Sequence, residues 1–159
     1  MHEPYVTAEE YTARGYDDIP VEERGVIVTE NGEVLMVYVT PEEYTELGYV
    51  KIPSTALSGA LRDASRQVDT LTFNRIVAKG FNNLTPFQQE IIKEVICKHA
   101  EFLYENADAI SSILDSYAIN GVSMKFGTGF NVRMEGGLPI QSTVYSLLEQ
   151  TGLCWRGAR

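Results

Sequence analysis

Helical periodicity places the tightest constraint on how this chain can fold. Apolar residues recur at intervals of three and four along one stretch: Leu57, Leu61, Ala64, Val68 and Leu71. This spacing predicts an amphipathic helix, which we expect to continue to Gly80. A second helix is predicted from Pro86 to about Asn106, because Thr85 and Gln88 form a capping box around a first-position proline. Its apolar face is predicted to include Phe87, Ile91, Ile92, Val95, Ile96, Phe102 and Leu103.

One segment of the chain occurs twice. Residues 5–20 (YVTAEEYTARGYDDIP) and residues 38–53 (YVTPEEYTELGYVKIP) are identical at 11 of 16 positions. Each copy predicts a short capped helix, a glycine stop and an extended Ile-Pro. The caps and stops are Thr7, Glu10 and Gly15 in the first copy, and Thr40, Glu43 and Gly48 in the second. Solenoids need at least three repeats, so two copies do not predict a repeat protein.

Three short segments predict β-structure or turns. Asn31-Gly32 lies between β-rich runs, which predicts a hairpin with strands near residues 26–29 and 34–39. A short β segment or tight hairpin is predicted within residues 117–126, after residues 107–116 that fit either helix or loop. A turn at residues 135–139 then precedes a last helix in residues 139–152, whose apolar face carries Ile140, Val144, Leu147 and Leu148.

These elements predict a mainly α protein, a small helical bundle with an N-terminal β-hairpin extension and a short β segment before the C-terminal helix. Residues 1–37 form the acidic extension, and residues 38–159 form the helical core with a C-terminal arm. The net charge of −9 is concentrated at the start, since residues 1–50 carry 12 Asp/Glu and two Arg. That acidity disfavours binding to nucleic acid phosphates. No membrane span or signal peptide is expected.

The sequence lacks the usual motifs of catalysis and cofactor binding. His2 and His99 are the only histidines, and no Cys/His cluster has zinc-ligand spacing. Cys97 and Cys154 predict two reduced thiols, because two cysteines do not make a disulfide framework. No P-loop, dinucleotide fingerprint or nucleophile elbow is present. We therefore expect no enzyme activity, no catalytic residues, no cofactor and no metal.

Four stretches resemble one protein family. Residues 60–76 (ALRDASRQVDTLTFNRI), 84–106, 116–127 and 147–159 (LLEQTGLCWRGAR) occur in the order found in the head–tail connector proteins of long-tailed bacteriophages, also called adaptor or head-completion proteins. The resemblance covers about residues 38–159. Its most specific pieces are residues 64–76 and 151–157.

The resemblance implies a structural protein of the phage neck, located in the virion and made in the bacterial cytoplasm. Such proteins assemble into twelvefold rings that dock on the portal protein after DNA packaging. The ring extends the DNA channel without sequence-specific binding, contacts no membrane and provides the platform for the next neck or tail protein. The C-terminal arm tends to reach the portal, which implies interface roles for Leu153, Trp155, Arg156 and Arg159. Alternatively, Trp155 covers the core of its own protomer.

Two further groups of residues are candidates for contacts between protomers. Arg62, Asp63, Arg66 and Asp69 either pair along the first helix or contact a neighbour. In the first copy of the repeat the candidates are Tyr5, Tyr11 and Tyr16. That copy is hypothesised to bind a groove, on a neighbour or a neck partner, like the one that residues 38–53 occupy; otherwise it is a duplication that merely extends the surface. An alternative function is an acidic protein-binding module, a decoy or regulator of a host or phage protein.

Overall fold

The computed structural model describes residues 26–28, 34–120 and 131–157 of the 159-residue chain. In chain order the elements are β1 (Val26–Val28), β2 (Val34–Met36), α1 (Pro41–Glu46), α2 (Ser54–Leu71), α3 (Arg75–Lys79), a 3-10 turn (Phe81–Asn83), α4 (Pro86–Glu105), α5 (Ala107–Asn120), β3 (Val132–Glu135), β4 (Leu138–Gln141) and α6 (Ser142–Glu149). The predicted mainly helical fold is confirmed. Within the described ranges, no helix has the length and apolar character needed to cross a membrane.

The first long helix follows the predicted seam but ends early. All five seam residues of α2 are buried. The prediction of one helix to Gly80 is wrong, because Phe73 and Asn74 have φ values of 55° and 56°. Left-handed residues cannot continue a right-handed helix, so α3 starts afresh at Arg75. The apolar seam itself stops at Leu71, since its next position is Arg75, and Ile76 is buried as part of the separate helix α3.

The second long helix begins at the predicted capping box. The Gln88 amide donates to Thr85 Oγ1 (3.2 Å) and the Thr85 amide donates to Gln88 Oε1 (3.1 Å). The helix ends at the cap residue Asn106, as predicted. Phe87 is 52% exposed, so its assignment to the apolar face is wrong. Its neighbour Gln88 faces the C-terminal segment, and successive helical residues point about 100° apart.

Residues 38–53 form a strap that packs on the two long helices. The capping box of α1 is confirmed, with hydrogen bonds of 3.0 Å and 3.2 Å between Thr40 and Glu43. Gly48 ends the turn with a φ of +88°. The first copy, residues 5–20, lies outside the described residues.

The short strands β1 and β2 pair antiparallel, with Ile27 opposite Leu35. The residues that would connect them, 29–33, lie outside the described residues, so the predicted N-terminal hairpin stays a prediction. Strand β2 ends at Met36 rather than at residue 39, and Val37 and the two residues after it are buried in the core.

The predicted β segment near the C-terminus lies further along the chain. Helix α5 runs to Asn120, so the prediction of β-structure is wrong for residues 117–120. Residues 121–126 lie outside the described residues. The hairpin is instead β3–β4, with Met134 opposite Pro139. Gly136 and Gly137 have φ values of 58° and 80°, as a two-residue hairpin turn of type I′ requires.

The hairpin leads directly into the last helix. Strand β4 includes Pro139, so α6 begins at Ser142, three residues later than predicted. On the predicted face Val144 and Leu148 are buried, and Leu147 is half-buried. Helix α4 is central, since α2 and α6 both pack against it. This arrangement brings the end of the chain beside the joint between α2 and α3.

Candidate functional site

The chain turns back into the core after α6. Thr151 Oγ1 donates a hydrogen bond to the Leu148 carbonyl (2.6 Å) and accepts one from the Leu153 amide (3.2 Å). Gly152 has a φ of +73°, a conformation that glycine adopts without a Cβ clash. These bonds satisfy backbone groups at the end of the helix and direct Leu153 inward.

Two side chains from earlier in the sequence hold this C-terminal segment. Arg75 Nη1 donates to the Leu153 carbonyl (2.6 Å), and Gln88 Nε2 donates to the Thr151 carbonyl (2.9 Å). Both side chains are half-buried. The segment is therefore fixed to the α2–α3 joint and to the first turn of α4.

The predicted portal-interface residues divide into three groups. Leu153 is 3% exposed and packs in the core of the chain, so its side chain is not available to a partner. Trp155 is 67% exposed, and Arg156 is exposed as well. Trp155 therefore does not cover the protomer's own core, the alternative that the sequence left open. Arg159 lies outside the described residues.

Phe73 lies at the joint between α2 and α3. Its ring is 47% exposed although its backbone occupies the left-handed region, which is unfavourable for a bulky residue. The guanidinium carbons of Arg75 and Arg156 lie 5.2 Å and 5.7 Å from the ring centroid. Both distances fall within cation–π range. A strained backbone that presents an exposed aromatic ring indicates a functional constraint at this position.

An open cleft of about 410 Å³ lies between the C-terminal hairpin, α6 and the C-terminal segment, and Arg156 lies both on this cleft and near the Phe73 ring. Glu135 on β3 forms ion pairs with both Arg133 and Arg156 (3.3 Å to the latter). The Arg133 guanidinium also lies over the Tyr145 ring, 4.4 Å from its centroid. Three of the charged residues that line the cleft, Arg133, Glu135 and Arg156, therefore pair with one another, and Glu149 and two aromatic rings complete the lining.

Trp155 lines the cleft, and the position of its indole ring depends on Gly157, two residues further along the chain. A Cβ at Gly157 would lie 2.0 Å from the indole ring. No real Cβ contact is that short, so any other residue at this position would displace the ring or the backbone. Gly157 therefore allows the chain to pass close beside the indole.

We define the aromatic–arginine face as Phe73, Arg75, Arg133, Trp155 and Arg156. The sequence singled out Trp155 and Arg156 but assigned no site role to the other three residues. No local signal marks Arg133. Phe73 and Arg75 belong to the run of residues 64–76, one of the stretches of the resemblance, and this was a signal that could have pointed to them. The prediction of one continuous helix to Gly80 did not include the break at Phe73 and Asn74 that places them at this face. The structure brings this run into contact with residues 151–157, so the two most specific stretches of the resemblance meet at one face.

The predicted inter-protomer residues on α2 do not share one environment. Arg62 and Asp63 are ion-paired at 3.4 Å on the surface, and Arg66 is exposed. Asp69 is buried, and its Oδ1 accepts a hydrogen bond from the Tyr38 hydroxyl (2.7 Å). Burial raises the pKa of Asp69 to about 6, and the Tyr38 bond opposes this shift. Asp69 therefore connects the strap to α2 within the protomer.

The other predicted inter-protomer residues, Tyr5, Tyr11 and Tyr16, lie outside the described residues.

The side chains best suited to catalysis are inaccessible. Cys97 and Cys154 are free thiols in the core, and burial raises their pKa values to about 12 and 11. Burial lowers the pKa of His99 to about 4; its Nε2 bonds to Gln67 (2.8 Å), whereas its Nδ1 has no partner among the described residues. In the same part of the chain, no three His, Cys, Asp or Glu side chains are placed to hold a metal ion.

Comparisons of the chain with protein-family models, with curated proteins and with solved structures gave no match.

Proposed function

We propose that this chain is a head–tail connector of a long-tailed bacteriophage, which forms a ring and docks on the portal protein through the aromatic–arginine face. The observation that carries the proposal is the contact between the two stretches on which the family resemblance rests. They lie 75 residues apart in sequence (76 to 151), yet Arg75 and Phe73 contact the C-terminal segment directly.

The composition of this face supports a role in protein binding. The residues that carry most of the binding energy at protein interfaces are enriched in tryptophan, tyrosine and arginine, and rigid aromatic rings bury large areas with little loss of side-chain freedom. Trp155 and Phe73 are both exposed, and Arg156 lies between the Phe73 ring and Glu135. A portal surface that covers these rings would remove apolar area from water at a site where the arginines are already oriented.

The proposal assigns different roles to the two parts of the chain. Residues 38–159 would form the ring, twelvefold as is usual in that family, around a channel through which the genomic DNA passes. Residues 1–37, with the N-terminal hairpin built on β1 and β2, would extend the ring toward a neck or tail-completion partner. The excess of acidic residues in 1–50 would keep packaged DNA from adhering wherever this part faces the channel.

The test measures binding to the portal protein from the same phage genome. Mass photometry of the mixture should show a complex with multiple connector copies per portal. Phe73→Ala and Trp155→Ala should each weaken binding about tenfold or more, as expected for interface anchors. Tyr104→Ala is the matched control, since Tyr104 on α4 is exposed to a similar degree (43% against 47% for Phe73) but is not part of the face.

Two outcomes would contradict the proposal. One is a stable monomer that binds neither the portal nor any neck protein. The other is recovery of a host enzyme, without virion proteins, from infected-cell lysate, which would favour the acidic binding module. Equal binding losses in the Tyr104→Ala control would show that the face has no special role.

A further inference from the structure

The strap formed by residues 38–53 docks in a groove on α2 and α4, and its contacts are specific. The Tyr38 hydroxyl donates to Asp69, and its ring stacks on Phe81 with centroids 5.1 Å apart. The Tyr44 hydroxyl donates to Glu101 Oε1 (2.7 Å) and accepts the Ile52 amide hydrogen (3.2 Å).

A charged contact adds to these bonds, because Glu43 pairs with Lys93. Partial burial alone would raise the pKa of Glu43, but the hydrogen bonds from Lys93 and the Thr40 amide lower it below its usual value. The groove therefore recognises a particular set of side chains along the strap.

Every side chain that makes these contacts is present in residues 5–20. The buried positions of the strap are Tyr38, Val39, Tyr44 and Ile52, and the first copy has Tyr5, Val6, Tyr11 and Ile19 at the same places. The capping pair and the stop are also retained, as Thr7, Glu10 and Gly15. Gly15 matters because its counterpart Gly48 has a φ of +88°.

The five differences between the copies fall at positions that the groove does not enclose. Four of the strap residues concerned, Glu46, Leu47, Val50 and Lys51, are exposed, and Pro41 is half-buried. Their counterparts in the first copy are Ala13, Arg14, Asp17, Asp18 and Ala8. Sequence divergence has thus spared the buried docking side chains, whereas Lys51 is an altered position that contacts the groove from its exposed edge.

From this pattern we infer that residues 5–20 are an alternative occupant of the groove, able to replace residues 38–53 within the same chain. The replacement would place Pro20 where Pro53 lies and leave the 33 residues from 21 to 53 as a closed loop. A tether of this length holds the first copy at an effective concentration of the order of millimolar. A second molecule at micromolar concentration cannot compete with that, so the same chain is the favoured source.

One contact explains why residues 38–53 are the resident occupant. Lys51 Nζ lies 3.2 Å from Glu105 and 3.8 Å from Glu101. The first copy has Asp18 at this position, which would bring a third carboxylate beside those two. Like charges at such distances disfavour binding, so the first copy is the weaker occupant. The inference does not depend on the proposed function.

The experiment uses four full-length chains: wild type, Tyr11→Ala, Tyr44→Ala and the double variant. Chemical denaturation measures the folding equilibrium constant of each. Tyr11→Ala alone should change nothing, because the groove holds the other copy. In the Tyr44→Ala background, Tyr11→Ala should lower the constant by a further factor of about ten, since the first copy then supplies the docking tyrosine. If Tyr44→Ala does not fold, Tyr44→Phe and Tyr11→Phe replace the alanine variants.

A gain of stability provides an independent readout. Asp18→Lys restores the charge of Lys51 to the first copy, so it should raise the folding constant of the Tyr44 variant several-fold and leave that of wild type unchanged. The inference is overturned if the Tyr11 and Tyr44 effects are merely additive, or if Asp18→Lys acts equally in both backgrounds. It is also overturned if the stability of the Tyr44 variant rises with protein concentration between 1 and 100 µM, which would show that another molecule supplies the segment.

Discussion

Replacing Phe73 by glycine and by alanine separates the backbone strain at the α2–α3 joint from the contacts of the ring. Both substitutions remove the ring and its contacts with Arg75 and Arg156. They differ in the cost of the left-handed backbone, where Phe73 has a φ of 55°. We therefore expect Phe73→Gly to be the more stable of the two variants, an order opposite to that found in an ordinary helix.

The magnitude follows from two opposing effects. An alanine in the left-handed region costs about 1–2 kcal/mol. The additional freedom of glycine in the unfolded chain costs about 0.5–1 kcal/mol. The difference favours Phe73→Gly by about 0.5–1 kcal/mol, which corresponds to about 2 °C in melting temperature for a chain of this size.

The assay is urea denaturation, with Val77 as the matched control. Val77 is exposed to a similar degree and lies two residues into α3, where the backbone is helical. There the order should reverse, with Val77→Ala more stable than Val77→Gly by about 1 kcal/mol. If Phe73→Ala equals or exceeds Phe73→Gly in stability, the joint is not strained and the argument from strain to function fails.

Two further predictions concern His99 and Gly157. The pKa of His99 is about 4 in the folded protein against 6.5 for the model compound, so the unfolded state binds more protons between these values and stability falls as the pH drops from 6.5 through 4. Asp69 has the opposite sign, because its pKa is raised to about 6 and its contribution is lost as the pH rises from about 4 through 6. Because His99→Gln removes the His99 titration, the unfolding free energy of this variant relative to wild type should increase by about 3 kcal/mol from pH 7 to pH 4. Chemical denaturation at each pH measures this difference. A difference that does not change with pH would mean that His99 is not buried as a neutral ring. Gly157→Ala should displace the indole of Trp155 and so shift the emission of this single tryptophan, with little change in melting temperature; an unaltered spectrum would contradict the close contact.

Capping signals were the most reliable guide to local structure in this chain. Thr40 with Glu43 and Thr85 with Gln88 were predicted to begin helices, and both pairs form reciprocal hydrogen bonds. These signals succeed because every partner lies within three residues, so that no distant part of the chain can alter the geometry.

The prediction of β-structure in residues 117–120 was wrong. Asn120-Gly121 has the composition of a turn, but α5 extends as far as Asn120.

The candidate site shows where local reasoning ends. The sequence pointed to Trp155 and Arg156 through the family resemblance, but it also included Leu153, whose side chain is enclosed by the protomer's own core. It gave no reason to join Phe73 with the C-terminal segment. Burial depends on the contacts that each side chain makes with residues far away in sequence, and residue type alone does not specify these.

The sequence by itself determined the helical character of this protein, the starts of its strap and of its central helix, and the duplication of the strap. Each of these depends on hydrogen bonds or apolar spacing within a few residues. The tertiary structure alone decided that α2 breaks at Phe73, that Arg75 holds the Leu153 carbonyl, and that the strap positions buried in the groove are all among those identical in the two copies. Those features arise when segments distant in sequence compete for one packed core, where a single side chain's position depends on all of its neighbours.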